Sequence, residues 1–180
     1  KRWMPSFPRS DNHHHTLVHT IGDNDLAEQI ETYITAMHMM RDGALDRVND
    51  ADLNFSPGGS NITLWQLFMA FADTQVDYIQ SLHTLKFDPG TSSQTSEKPI
   101  SMSMLRERFK ETDSQILTIL RSLTEDDFQQ QVERPNQVMR SVREQFQIYV
   151  EAAMIFLGKL VIYFNTMEKE LPPSVAFYIA

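Results

Sequence analysis

Four stretches of this chain carry apolar residues at helical spacing, and this pattern constrains the fold more than any other feature. Within each stretch the apolar residues recur at i, i+3 and i+4, which places them on one face of an α-helix. No run alternates apolar and polar residues for long enough to predict a sheet. Because four such faces can bury one another in a shared core, the sequence predicts an all-α protein, a four-helix bundle.

Capping residues and chain breakers predict the limits of the first two helices. Asp25 and Glu28 form a capping-box pair, so the first helix should start near Asp25 and end near Val48. Thr63 and Gln66 form a second pair, which predicts the start of the second helix. A long connection rich in Pro, Gly, Ser and Thr, residues 86–100, should follow that helix.

Similar signals delimit the second half of the chain. The third helix carries an apolar stripe over residues 105–123, and its other face is charged. Residues 124–127 should form a short extra turn. The fourth helix should open at Ser141 with Glu144 as its capping partner. Because this helix is apolar on most sides, we expect it to be the most buried of the four.

The chain is predicted to have three parts. Residues 1–22 should form a flexible N-terminal extension, residues 23–173 the bundle, and residues 174–180 a C-terminal tail. The extension holds a histidine tract, made of His13, His14, His15 and His19. Such a tract is either a metal-binding segment or a solvated polar arm, and we favour the arm because clustered histidines bind metals without a built site.

Composition and charge exclude several classes of protein. The 180 residues include 24 Asp and Glu against 16 Lys and Arg, and a net charge of −8 argues against a nucleic-acid partner. The absence of Cys excludes thiolate nucleophiles, disulfides and iron–sulfur clusters. The longest apolar stretch, residues 152–164, contains Lys159 and is shorter than the ~20 residues that span a membrane. We therefore predict a cytoplasmic protein without a membrane partner. A protein whose signal peptide was removed upstream of Lys1 is the alternative that the sequence leaves open.

Two segments carry motifs typical of a known family. Residues 45–71 read LDRVNDADLNFSPGGSNITLWQLFMAF, and residues 120–173 contain LRSLTEDDF, SVREQF, FLGKL and ELPP. In both, a helix end is followed by an acidic turn, a Pro-containing loop and a Ser or Thr that caps the next helix. Over most of residues 25–173 this order resembles the DinB/YfiT-like superfamily. The resemblance implies a four-helix bundle that forms a homodimer, in a family that includes metal-dependent thiol transferases and hydrolases.

The resemblance also implies three histidines that hold a divalent metal. One stands on the second helix, and two form His-x-x-x-His on the last helix before a glycine, here Gly158. In this sequence the three positions are Ala70, Ala152 and Phe156, and none of these side chains binds a metal. A shift of one residue does not restore the site, because the last histidine of the chain is His83. We therefore predict no metal and no cofactor, and an apolar layer or an apolar ligand pocket in this place.

Three carboxylates offer an alternative site. Asp73 and Asp77 are i, i+4 neighbours on the second helix and, if they face inward, could join Glu151 of the last helix. Such a set would favour Mg²⁺ or Ca²⁺. The competing interpretation places both aspartates on the exposed edge of their helix. The candidate pocket therefore contains Ala70, Ala152 and Phe156, with Asp73, Asp77 and Glu151 beside them.

The other singled-out residues have simpler interpretations. His38 is predicted to be a surface or hydrogen-bonded histidine, and His83 to stabilise the C-terminal end of the second helix. The ten Met are core filler or, alternatively, an adaptable ligand surface. Trp65 is predicted to lie at a helix crossing or a dimer surface.

Three functional hypotheses follow. The first is a non-catalytic family member that has lost its metal centre, forms a homodimer and binds a small apolar ligand or a protein partner. The second is a metal-dependent thiol transferase or hydrolase that uses the carboxylate site. The third is an interaction module that uses the 86–100 loop and the Met-rich face of the first helix. Whether the protein is an enzyme stays open, and we favour the non-enzymatic interpretation.

Overall fold

The computed structural model describes residues 24–90 and 101–179. Within them the helices and strands, in chain order, are α1 (Asn24–Leu45), α2 (Leu64–Thr84), α3 (Met102–Ser122), α4 (Glu125–Gln129), β1 (Gln131–Arg134), β2 (Val138–Ser141), α5 (Val142–Thr166) and α6 (Pro173–Tyr178). The predicted N-terminal extension with its histidine tract, and residues 91–100 of the predicted connection, lie outside the described residues.

The four long helices α1, α2, α3 and α5 form the predicted four-helix bundle. α2 packs on α3 and α5, and α1 packs on α5 and α3. Their apolar faces meet in one core, whose fully buried members include Ile34, Leu64, Phe68, Leu105, Ile116, Leu120, Leu157 and Phe164. Trp65 is also buried, near the start of α2. The all-α prediction is confirmed, because the helical spacing of apolar residues is what each helix buries.

Of the predicted capping pairs, Thr63–Gln66 and Ser141–Glu144 are formed, whereas α1 begins at Asn24, one residue before Asp25. The Gln66 side chain accepts the Thr63 backbone N–H at 2.8 Å before α2. Asp127 accepts the Thr124 backbone N–H at 2.9 Å and so begins α4, which is the predicted short extra turn. The first helix ends at Leu45 rather than near Val48, because the chain turns there and buries Val48 from the loop that follows α1.

A small β-ribbon was not predicted. β1 and β2 pair antiparallel between α4 and α5, from Gln131 opposite Ser141 to Arg134 opposite Val138. Each strand has four residues, which is too short for a period-two pattern to stand out in the sequence. The ribbon is fastened to the end of α2, where the Phe87 backbone N–H donates to the Glu133 carbonyl at 2.7 Å.

The expectation that the last long helix is the most buried is wrong. Twelve of the 21 residues of α2 are buried, against ten of the 25 residues of α5. α5 packs mainly on α1 and α2, so its outer face stays in solvent, with Ile155 62% and Ile162 58% exposed. Although α5 carries apolar residues on most of its sides, the structure therefore buries only the sides that face α1 and α2.

α5 is also long and apolar enough, by length and composition, to cross a membrane, and 39% of its most apolar window is buried inside the protein. Core helices of globular bundles pass the same test. Its inner face, which includes Tyr149, Phe156 and Leu160, is packed in the core described above.

The predicted C-terminal tail is partly helical. α6 covers Pro173–Tyr178 and inserts Val175, which is 1% exposed, against the bundle. Pro172 packs closely against Gly43 of α1. A β-carbon added to Gly43 would lie only 3.3 Å from the Pro172 Cβ. The end of the chain is thus part of the packed structure through Val175.

Removing the cap of α5 should destabilise the bundle. The Ser141 hydroxyl accepts the Glu144 backbone N–H at 3.2 Å, and the Glu144 carboxylate accepts the Ser141 N–H at 2.7 Å. We expect Ser141→Ala to lower the free energy of unfolding in urea by about 1 kcal/mol, because a cap is lost. Ser114→Ala, on the exposed side of α3, is the control. Equal stability of the two variants would contradict the role of the cap.

Candidate functional site

The three positions that the resemblance assigns to metal ligands lie together. Ala70 from α2 and Ala152 and Phe156 from α5 line one groove of about 210 Å³, which we call the α2/α5 groove. Its other lining residues are Leu67, Phe71, Thr74, Ile155 and Lys159. The i, i+4 spacing of Ala152 and Phe156 turns both toward α2, which explains the convergence.

An aromatic side chain takes the place of one predicted ligand. Phe156 is 4% exposed and stacks on Phe71, with ring centroids 4.4 Å apart and an interplanar angle of 8°. Its ring also meets the edge of Phe68 at 5.6 Å. Such contacts hold an aromatic ring in one orientation. The floor of the groove is therefore apolar and is formed by these aromatic rings.

The donor set of the α2/α5 groove does not fit a divalent cation. Ala70, Ala152 and Phe156 offer no side-chain nitrogen or oxygen. The hydroxyl of Thr74 donates to the Ala70 carbonyl at 2.8 Å, and Lys159 adds a positive charge at the wall. Divalent metals in proteins need imidazole, thiolate or carboxylate ligands. The residues present are those of an apolar surface.

The three carboxylates of the alternative site do not line this groove. Asp73 and Asp77 are buried, at 8% and 6% exposure, so they do not stand on an exposed edge, whereas Glu151 is exposed. Asp73 Oδ1 lies 3.5 Å from Arg108 Nη2 of α3, and Asp77 Oδ2 accepts the Gly90 backbone N–H at 2.7 Å. Over residues 24–90 and 101–179, no group of three or more His, Asp or Glu is placed to hold a metal ion.

The environment of Asp73 affects its protonation. Burial raises the pKa of the Asp73 carboxyl, the Arg108 guanidinium lowers it, and the neighbouring Asp77 raises it further. Because Asp73 turns to α3 and Asp77 to the segment after α2, their carboxylates serve different parts of the structure.

A buried polar network, which sequence reasoning only partly found, joins the four long helices. It consists of His38 and Arg41 from α1, Gln75 from α2, Asp113 from α3 and Tyr149 from α5. His38 Nε2 lies 2.7 Å from the Tyr149 hydroxyl, and His38 Nδ1 lies 3.2 Å from Asp113 Oδ1. The Gln75 amide donates to the Tyr149 hydroxyl and to Asp113 Oδ1, both at 2.9 Å.

Arg41 is the charged centre of this network. Its side chain is 1% exposed and donates through Nη1 to Asp113 Oδ1 at 2.9 Å and through Nε to Asp42 Oδ1 at 2.9 Å. The guanidinium also lies over the Phe109 ring, 4.1 Å from its centroid. A buried guanidinium is stable only with such partners.

The network holds His38 in its neutral form. Burial lowers the pKa of His38 to about 4, with Asp113 opposing the shift and Arg41 adding to it. Burial raises the pKa of Tyr149, because it disfavours the charged phenolate as it disfavours the charged imidazolium. A neutral imidazole therefore donates a hydrogen bond from Nδ1 to Asp113 and accepts one at Nε2 from the Tyr149 hydroxyl. The order Asp–His–Tyr is that of a proton relay, but Tyr149 is fully buried, so its hydroxyl meets no substrate in this structure.

The sequence did carry a signal for part of this network. The hydrogen-bonded interpretation of His38 is confirmed, and the surface alternative is wrong. Gln75 is the single polar residue on the apolar stripe of α2. Arg41, three residues after His38, falls on the same face of α1. Polar residues on apolar stripes of two helices indicate a shared buried network.

The other singled-out residues do not form a site. Met37 and Met40 pack on the core, whereas Met39 is 68% exposed, so α1 presents no methionine face. His83 lies exposed in the last turn of α2, at the predicted place.

The chain belongs to the DinB superfamily, whose sequence pattern matches residues 33–154. No curated protein matches the chain. Two solved structures from Bacillus subtilis share the fold. The DinB-like protein YjoA is 16% identical with a TM-score of 0.65, and the alignment covers 80% of this chain and 96% of YjoA. YfiT, described as a probable metal-dependent hydrolase with an unusual four-helix bundle topology, is 15% identical with a TM-score of 0.63, over 92% of this chain and 98% of YfiT.

Stability should fall in mild acid because of His38. Its pKa is about 6.5 in the unfolded chain and about 4 in the fold, so the unfolded chain takes up the proton first. The contribution is complete above pH 6.5 and is lost as the pH falls toward 4, by about 3 kcal/mol at most. Urea unfolding measured from pH 7 to pH 4.5 checks this.

The matched variants separate His38 from the other groups that titrate in acid. His38→Gln should flatten the pH dependence of the unfolding free energy over this range, whereas Ser114→Ala, which removes no titratable group, should keep the wild-type slope. If both variants keep the wild-type slope, the buried histidine does not account for it.

Proposed function

We propose that this DinB-superfamily protein is a non-catalytic binding module whose α2/α5 groove takes a small apolar ligand where the family resemblance expects a metal. One observation carries the proposal: Phe156 is buried and stacks on Phe71 at one of the three ligand positions. An aromatic ring fixed there leaves room for an apolar group on the surface and supplies no electron pair to a cation.

The size and lining of the groove support a small ligand. About 210 Å³ is less than the ~300 Å³ at which sites for drug-sized molecules begin, so the groove fits a fragment such as a short alkyl or aryl group. Leu67, Phe71 and Ile155 supply apolar contact, and Lys159 gives the wall one positive charge. Binding of such a ligand does not require a coordinated metal ion.

Metal analysis tests the proposal. The full chain with His13, His14, His15 and His19 all changed to Gln removes adventitious binding by the tract. After incubation with Zn²⁺ and dialysis, we expect a substoichiometric metal content, because the groove lacks donors. The same chain with Ala70→His, Ala152→His and Phe156→His should gain one bound Zn²⁺ per protein, since the three positions converge. One equivalent of Zn²⁺ in the chain without the three new histidines would overturn the proposal.

A second candidate is a metal-dependent thiol transferase or hydrolase with a carboxylate site. The description of YfiT as a probable metal-dependent hydrolase favours it. The placement of its carboxylates does not, because Asp73 pairs with Arg108 and Asp77 caps the segment at Gly90. The same analysis read for Mg²⁺ and Ca²⁺ tests it: one bound ion, lost in Asp73→Asn, would support this candidate.

We also propose that the protein is a homodimer that associates through the outer face of α5. Ile155 and Ile162 lie two turns apart on that face and are 62% and 58% exposed. Large apolar side chains exposed on one helix face suit an interaction surface. Because Ile155 also lines the α2/α5 groove, a second copy would cover one side of the ligand site. Residence in the cytoplasm, without nucleic-acid or membrane partners, remains part of this proposal.

Light scattering after size exclusion tests the dimer. The double variant Ile155→Asp, Ile162→Asp should elute as a monomer, because it places two carboxylates on each copy at the proposed interface. Met39→Asp, on an exposed residue of α1, should leave the wild-type mass unchanged. A wild-type monomer at micromolar concentration would contradict the dimer without bearing on the metal analysis.

A further inference from the structure

A second groove lies on the opposite side of α5, between the first halves of α1 and α5. Its volume is about 360 Å³, and we call it the α1/α5 groove. The lining residues are Leu26, Gln29, Ile30 and Tyr33 from α1, with Arg143, Phe146, Gln147, Val150 and Met154 from α5. None of these lines the α2/α5 groove, so an inference about this site does not depend on the function proposed above.

The floor of the α1/α5 groove is apolar. Phe146 is 1% exposed, and Ile30 and Val150 are half-buried against the core. Tyr33 and Met154 stand higher on the walls, at 62% and 46% exposure. A flexible methionine lets such a wall adapt to the ligand that enters. The volume falls within the ~300–1,000 Å³ typical of small-molecule sites.

One positive charge, that of Arg143, lines this groove. Arg143 is the single charged residue among the lining residues. Within the described parts of the chain it forms no hydrogen bond and no ion pair. The nearest acidic neighbour in sequence, Glu144, is engaged instead with the Ser141 backbone N–H at 2.7 Å. The guanidinium is therefore available to a ligand in the groove.

We propose that the α1/α5 groove is a binding site for a medium-chain monocarboxylate. The planar fork of a guanidinium matches a carboxylate with two parallel hydrogen bonds, so Arg143 supplies the polar end of the site. An alkyl tail would lie over Ile30, Phe146 and Val150, where its burial from water stabilises the complex. The amides of Gln29 and Gln147 line the same groove and suit a ligand whose one end is polar.

Calorimetric titration of the full chain with octanoate and with 1-octanol tests the site. The two probes share an alkyl chain and differ in the carboxylate. We expect saturable binding of octanoate at one site per chain. Arg143→Gln should weaken octanoate binding about tenfold, as the loss of a charge-assisted hydrogen bond does, and leave octanol binding unchanged. Arg140→Gln, which removes an exposed charge outside the groove lining, is the matched control and should bind octanoate like the wild type.

A second variant blocks the groove without touching Arg143. Met154→Glu places a carboxylate on an exposed wall residue, so octanoate binding should be lost while the thermal unfolding midpoint stays near that of the wild type. Three results would overturn the proposal: no saturable octanoate binding to the wild-type chain, equal weakening by Arg143→Gln and Arg140→Gln, or octanoate binding that both Arg143→Gln and Met154→Glu leave intact. The Zn²⁺ content of the chain is not affected by any of these results.

Discussion

The bundle is organised around the ion pair between Arg41, which is buried, and Asp113, whose side chain is 19% exposed. A guanidinium at 1% exposure is costly to desolvate, and the structure compensates with Asp113, Asp42 and the face of Phe109. Removing Asp113 would leave the buried guanidinium with Asp42 as its remaining carboxylate partner and would lower the free energy of unfolding. The four helices must therefore meet in the arrangement that brings these groups together.

The rest of the polar network extends that requirement from α1 and α3 to α2 and α5. Gln75 and Tyr149 reach Asp113 and His38 from the other two helices, with hydrogen bonds of 2.7–2.9 Å. Apolar contacts are tolerant of small rotations and shifts, whereas hydrogen bonds are directional. Apolar helix faces alone could pack in several registers. The network therefore favours the one register in which its hydrogen bonds form.

The α2/α5 groove shows how a bundle can keep its shape with different chemistry at one place. Phe156 packs on Phe71 and Phe68, so contacts between aromatic rings join α5 to α2 where a metal would need ligands from both helices. The fold alone does not define the function, since function depends on the side chains at the site. The identity of the side chains at Ala70, Ala152 and Phe156 is therefore what a functional comparison within this fold has to consider.

Local signals in the sequence determined the helical class, the number of long helices and the caps at Thr63 and Ser141, because each depends on residues a few positions apart. The sequence also shows directly that the side chains of Ala70, Ala152 and Phe156 carry no metal donor atom. Only the tertiary structure decided which face of α5 is covered, where Asp73 and Asp77 point, and that Arg41 and Asp113 meet. These depend on contacts between residues far apart in the chain, and helical spacing says which residues share a face but not what packs against it.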